Sequence, residues 1–225
     1  MVDDASPHSA QEEPAHVDHS HDIYTVANII TVLRLILVPL FFSVLLTGSS
    51  DTLAFFLFVL AASTDWLDGQ IARRTGTVTA IGKAIDPLVD RLLIASAVIG
   101  LYVEDRLPLW ILVVLIARDA YLLYGAWRLE NHRKMLPISY TGKATTAVLL
   151  AGFSLLILGW PTVPGLGIVT SPAAEAALPG FGAAPAPLGI WFVYAGLVLS
   201  FTAAAQYTVA ARRIAKQLKV AGADQ

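Results

Sequence analysis

The chain contains no cysteine. A disulfide framework, a thiol nucleophile and a thiolate metal site are therefore excluded, and cysteine usage says nothing about compartment. Charge is scarce as well. Asp, Glu, Lys and Arg make up 14% of the 225 residues, where a soluble globular domain carries about 25%. The net charge of −2 singles out no partner, and no nucleic-acid partner is expected. Histidine is almost confined to the polar N-terminal stretch, at His8, His16, His19 and His21. That stretch, residues 1–22, holds too little apolar surface to fold and reads as a disordered, solvated tail. No cleavable signal is expected, because the N-terminus is polar and the first apolar run is too long for a signal core.

What remains is apolar. Hydrophobic residues make up 56% of the chain and the mean hydropathy is +0.66, with long apolar runs from end to end. The expectation is an all-α, polytopic membrane protein, since helices satisfy their own backbone hydrogen bonds in lipid. Six spans are expected, at about residues 26–46, 53–73, 81–102, 107–129, 143–158 and 188–210, each near the ~20 residues that cross a bilayer. Together they form one membrane domain, residues 23–215, followed by a short polar tail, residues 216–225. The connections alternate in charge. Residues 46–52 hold no basic residue, the next connection on that side holds only Arg106, and residues 160–187 hold none. This last stretch, rich in Pro, Gly and Ala, reads as an irregular outer loop. The opposite side carries Arg73, Arg74, Lys83, Arg128, Arg133, Lys134, Lys143, Arg212, Arg213, Lys216 and Lys219. The positive-inside rule makes that side cytoplasmic and puts both termini there. No inverted repeat of the transporter kind is visible.

One stretch breaks the apolar pattern. Residues 64–92 carry Asp65, Asp68, Asp86 and Asp90, between the apolar runs of the second and third spans. At ~100° per residue, Asp65 and Asp68 share a helix face, and Asp86 lies one turn before Asp90. Gly69, Ala72 and Gly82 lie beside them, and small residues let a ligand or helix approach the backbone. An Asp at the centre of a span costs about 2.5–3.5 kcal/mol, so four approach ~10 kcal/mol before their repulsion. Arg73, Arg74 and Arg91 do not obviously neutralise all four. A divalent cation can. Carboxylate donors without nearby His or Cys suit Mg²⁺, Mn²⁺ or Ca²⁺ rather than zinc, and Mg²⁺ typically shares its shell with substrate phosphates. The alternative is a buried ion-pair network between the two spans. Its weakness is the number of acids set at paired spacing beside glycines.

The pattern D-x2-D-G-x2-A-R-x8-G-x3-D-x3-D is complete in Asp65, Asp68, Gly69, Ala72, Arg73, Gly82, Asp86 and Asp90. It resembles the signature of the CDP-alcohol phosphatidyltransferase family, and the six-span layout extends the resemblance over about residues 23–215. The resemblance implies that Asp65, Asp68 and Asp86 are metal ligands. Asp90 would be a fourth ligand or the general base, at a site holding two Mg²⁺ or Mn²⁺ ions. It implies that Asp68, Gly69, Ala72, Arg73 and Gly82 shape the cytidine-diphosphate pocket, with Arg73 on phosphate. It also implies CDP-diacylglycerol as donor, CMP as leaving group, a homodimer, and a cytoplasmic membrane location if the source is bacterial.

The acceptor is read from other residues. Asn28, Thr31 and Arg34 form a polar seam in the first span, Arg118 and Asp119 lie within the fourth, and Lys143 opens the fifth. Cations there suit a phosphate-bearing or anionic acceptor. For Arg118 the competing reading is a local ion pair or a bond to a carbonyl. Asn28-x2-Thr31-x2-Arg34, with Asp86-Pro87 and Asp90-Arg91, resembles the subgroup making phosphatidylglycerophosphate or cardiolipin. Glycerol 3-phosphate leads as acceptor, narrowly. Asp119, where glycerophosphate enzymes tend to have Glu, leans toward phosphatidylglycerol. An ion-coupled carrier would spread its acids over several spans near the midplane, and a membrane scaffold gives no reason for the insertion cost. Both are weaker readings than an enzyme.

Overall fold

The computed structural model describes residues 26–75, 80–130 and 140–221, with side chains described at 32–64, 89, 91–125 and 140–212. The expected tail of residues 1–22 lies outside the described residues. Six long helices fall where hydropathy puts the six apolar stretches. They are α1 (Val26–Leu46), α2 (Asp51–Thr75), α3 (Ala80–Val103), α4 (Leu109–Glu130), α5 (Tyr140–Leu158) and α7 (Gly189–Ala221). A short helix, α6 (Pro172–Ala177), and a pair of two-residue strands, β1 (Thr162–Val163) and β2 (Ala186–Pro187), occupy the expected irregular loop. The strands pair antiparallel, Thr162 with Pro187 and Val163 with Ala186.

Local chemistry sets several of the ends. Gly48 takes φ +59 and its N–H donates to the Leu45 carbonyl, closing α1 in the left-handed conformation that glycine adopts without strain. Two residues on, the Ser50 hydroxyl accepts from the Leu53 N–H, and Asp51 follows in the first turn of α2, where a carboxylate meets the positive end of the helix dipole. Ser171 caps α6 in the same way, accepting from Ala174 N–H ahead of Pro172.

Apolar surface lies outside as well as in the core, and a few polar groups are buried among the apolar ones. Ile36, Phe56, Val198 and Phe201 are all more than half exposed, whereas Arg34, Thr145 and Ser200 are buried. In water such a surface would be costly; in lipid it costs nothing. Two described stretches, Tyr140–Leu158 and Gly189–Arg212, are long and apolar enough to cross a bilayer, and only 33% and 39% of their spanning windows are buried. Shorter apolar stretches are Val32–Leu46, Asp51–Thr64 and Arg91–Val103.

The core has two centres. In the first, α1 packs on α2 and α3 through Phe41, Leu45, Phe58, Ala61, Ala97 and Leu101, with the Phe41 and Phe58 rings 5.3 Å apart. In the second, α5 packs on α7 through Leu149, Phe153, Ile190 and Val193. Here the backbones nearly touch. A Cβ on Gly189 would lie 2.5 Å from the Gly152 carbonyl oxygen and 2.6 Å from the Leu156 nitrogen. Glycine at these positions is what permits the approach.

Arg106 fixes the order of the helix ends. Its Nη2 donates to both Asp51 oxygens, at 2.8 and 2.9 Å, and its Nη1 donates to the Ile157 carbonyl at 2.8 Å. The α1–α2 turn, the α3–α4 turn and the end of α5 therefore meet at one end of the bundle. The end of α2 with the start of α3, the end of α4 with the start of α5, and the end of α7 stand at the other.

Candidate active site

The four aspartates of the motif lie on α2 and α3, whose joined ends are separated by residues 76–79. Their side chains are outside the described residues, as are those of Gly69, Ala72, Arg73 and Gly82 and, on α1, Asn28 and Thr31. Their positions along the helices are described. Asp68 lies seven residues before the end of α2 and Asp86 six after the start of α3, each about 10 Å along the axis at 1.5 Å per residue. Asp65 and Asp90 each lie ten residues from the same ends, about 15 Å along. Two adjoining antiparallel helices therefore carry their carboxylate pairs at matching depths. Val89, between Asp86 and Asp90, is buried, and beyond the aspartates the bundle closes with buried Ala61 and Leu93 and with Thr64, whose hydroxyl turns back to the Ala61 carbonyl at 2.7 Å.

Arg34 lies eight residues into α1, which packs against both aspartate-bearing helices, and it is fully buried. A buried guanidinium is stable only when its charge is engaged. Arg34 is thus held inside the helix layer rather than on an open wall. Lys143 is exposed in the first turn of α5.

Arg118 is in the local ion pair that was its competing reading: Nη1 donates to the Asp119 carboxylate at 2.6 Å. The pairing is incomplete, because the Arg118 Nε is buried without a partner. The other Asp119 oxygen lies 4.0 Å from Arg91 Nη1, so one carboxylate stands between two guanidiniums on different helices. Arg91 directly follows Asp90, which ties this charge chain to the motif helix. A groove of about 240 Å³ opens beside it between α3 and α4, lined by Arg91, Ile94, Val98, Leu115, Asp119 and Leu123.

Sequence reasoning missed a polar seam joining α4, α5 and α7. The Tyr121 and Thr208 hydroxyls are 2.7 Å apart, Thr141 donates to the Gln206 side-chain oxygen at 3.0 Å, and buried Thr145 donates back to the Thr141 carbonyl. Isolated hydroxyls on three separate spans carry no sequence signal until the helices are assembled. Among the described residues no group of three or more His, Asp or Glu side chains gathers.

The profile of the CDP-alcohol phosphatidyltransferase family matches residues 24–202, and the chain belongs to that family. Its similarity to named relatives is consistent across bacteria. It is 38% identical over 148 residues to a "Cardiolipin synthase (CMP-forming)" of Streptomyces coelicolor, covering 61% of this chain and 69% of the relative. It is 36% identical over 156 residues to a "Probable phosphatidylglycerophosphate synthase" of Mycobacterium tuberculosis, covering 67% and 74%. A "CDP-diacylglycerol--glycerol-3-phosphate 3-phosphatidyltransferase" of Bacillus subtilis is 31% identical over 171 residues, covering 69% and 86%.

Proposed function

We propose that the chain transfers a phosphatidyl group from CDP-diacylglycerol to glycerol 3-phosphate, giving phosphatidylglycerophosphate and CMP. The observation that carries this reading is the matched depth of Asp65 with Asp90 and of Asp68 with Asp86 on adjoining helices. Four carboxylates without a sulfur or imidazole donor suit two Mg²⁺ or Mn²⁺ ions, with Asp65, Asp68 and Asp86 as ligands and Asp90 as a further ligand or base. When bound, such ions neutralise the charge that develops on the transferring phosphoryl group. The remaining work falls to the chain. Gly69, Ala72 and Gly82 leave room for the cytidine diphosphate, and Arg73 pairs with its phosphate. Asp90 accepts the proton of the acceptor hydroxyl, whose oxygen attacks the lipid-bearing phosphorus. The bond from that phosphorus to the CMP oxygen breaks and CMP leaves.

The proposed setting is a homodimer of six-span protomers, both termini cytoplasmic and the site opening to the cytoplasm. Asn28, Thr31, Arg34, Arg118 and Lys143 are the proposed acceptor residues. The unsatisfied Arg118 Nε supports an anion-binding role there, and Arg34 acts from within the helix layer.

A second reading has phosphatidylglycerol as acceptor and cardiolipin as product. It is favoured by the apolar α3–α4 groove with its Arg91–Asp119–Arg118 rim, which suits a lipid better than a small soluble phosphate. The test supplies purified protein with CDP-diacylglycerol and Mg²⁺ or Mn²⁺, then glycerol 3-phosphate or phosphatidylglycerol in turn, following CMP. CMP release with glycerol 3-phosphate alone is the expected result. Release with phosphatidylglycerol alone selects the second reading, and release with neither overturns both.

A further inference from the structure

The proposed reaction draws on no residue of the C-terminal part of α7, yet the helix does not stop where its apolar span does. The span candidate ends at Arg212, while the helix continues to Ala221. Its 33 residues give a rod of about 50 Å at 1.5 Å per residue. The bilayer core is about 30 Å thick, and about 40–45 Å with its headgroups. With the apolar part in the core, residues 213–221 stand in the headgroup layer and just beyond it.

That segment is cationic on one side by register. Arg212, Lys216 and Lys219 recur at i, i+4 and i+7, and Arg213 adjoins them. At ~100° per residue the four positions fall within about a third of the helix circumference. Ile214, Leu218 and Ala221 recur at the same spacing on the opposite side. No acidic residue occurs anywhere in α7, and Arg212 is exposed. Neighbouring contacts add to the charge. The Thr141–Gln206 hydrogen bond holds the start of α5 against α7, and exposed Lys143 lies two residues along α5. The whole set is at the same end of the bundle as the motif aspartates.

We propose that this helix end is a binding surface for the phosphate-bearing headgroups of anionic phospholipids in the adjoining leaflet. The warrant is charge complementarity at the right height. Clustered Lys and Arg immediately beyond a span attract anionic lipid, each strengthening the association about fivefold at low salt. The inference rests on the membrane reading but not on the transferase reading. A zone enriched in anionic lipid beside the site would also concentrate a CDP-bearing lipid, whose diphosphate is itself anionic.

The absence of native cysteine makes the test direct. Gln217→Cys gives a single attachment point for a fluorophore in the full chain. The labelled protein is placed in phosphatidylcholine vesicles containing a minor share of phosphatidylserine, with bromine quencher on one lipid or the other. Phosphatidylserine is anionic but is neither proposed acceptor. The expected result is quenching that favours phosphatidylserine at least about fivefold at low salt, with the preference lost at high salt. In the variant R212Q/R213Q/K216Q/K219Q the ratio falls to near one. Equal quenching by both lipids in the otherwise unaltered chain overturns the proposal. So does a preference untouched by salt, or a label that responds only to a soluble acidic protein. CMP release is read separately, after CDP-diacylglycerol, Mg²⁺ or Mn²⁺ and each proposed acceptor in turn are added to such vesicles: lipid preference without CMP from any acceptor counts against the transferase reading alone.

Discussion

The two ends of the bundle handle charge in opposite ways. At the end that gathers the α1–α2 and α3–α4 turns a single cation, Arg106, is matched by Asp51 and by the Ile157 carbonyl. Glu104 and Asp105 in the α3–α4 turn and Glu175 in α6 leave that end with more acid than base. At the other end α2 and α3 together bring four aspartates to two depths, within an otherwise apolar chain. Paired carboxylates at matched positions on two adjoining helices are the pattern that the proposed cations and diphosphate would complete. The Arg106 end organises the helices, and the aspartate end uses that organisation.

The largest expected effect falls on the aspartate end. Asp86→Asn should lower CMP release about 10²- to 10³-fold or more, the loss typical when a group stabilising developing charge is removed. The protein should still insert and keep its thermal midpoint. Activity near that of the unaltered chain would remove Asp86 from the site and erase the contrast between the ends.

The next effect belongs to packing and should reach both ends. Gly189→Leu forces a side chain into the Gly152 and Leu156 backbone, which cannot rotate away. A loss of about 1–3 kcal/mol is expected, read as a lower unfolding midpoint in detergent. An unchanged midpoint would show that α5 and α7 are not in close contact.

A narrower effect sharpens the functional side. Arg118→Ala should raise the acceptor KM about tenfold, equivalent to about 1.4 kcal/mol, with little change for CDP-diacylglycerol. Equal shifts for both substrates would return Arg118 to a purely structural pair with Asp119.

The smallest effect tests the Arg106 end. Arg106→Ala should cost about 1 kcal/mol, because its side chain and that of Asp51 are 26% and 41% exposed and solvent screens the pair. Turnover per folded molecule should be unchanged. A large fall in kcat with intact stability would mean that the Arg106 end does more than organise helices.

Much of this was legible in the sequence because the bilayer leaves few options. Apolar runs of span length must become helices, and the long helices fall on the six apolar stretches. The aspartate motif was legible because its spacing is local to two helices and its insertion cost is large. Contacts between distant spans were not legible. Arg106 read only as a lone cation in a loop, and its partners lie 55 and 51 residues away. Arg91 read as a neighbour of Asp90, and its approach to Asp119 needs α3 and α4 to be packed. The outer loop read as irregular because Ser171, Pro172 and Glu175 give too short a helical pattern to stand out. The end of α7 was read short because hydropathy registers where a helix leaves the apolar layer, not where it stops.

Arg106 also bears on how the chain assembles. The Ile157 carbonyl belongs to the last turn of α5, where a helix has no backbone donor of its own left to offer. Its partner comes from a turn 51 residues earlier in the chain, already holding the start of α2. The final turn of α5 is therefore completed from outside its own sequence, and only after two earlier helical hairpins have come together. A chain inserted span by span meets a checkpoint there: α5 closes properly on a correctly gathered set of predecessors, and a misplaced one leaves its end open.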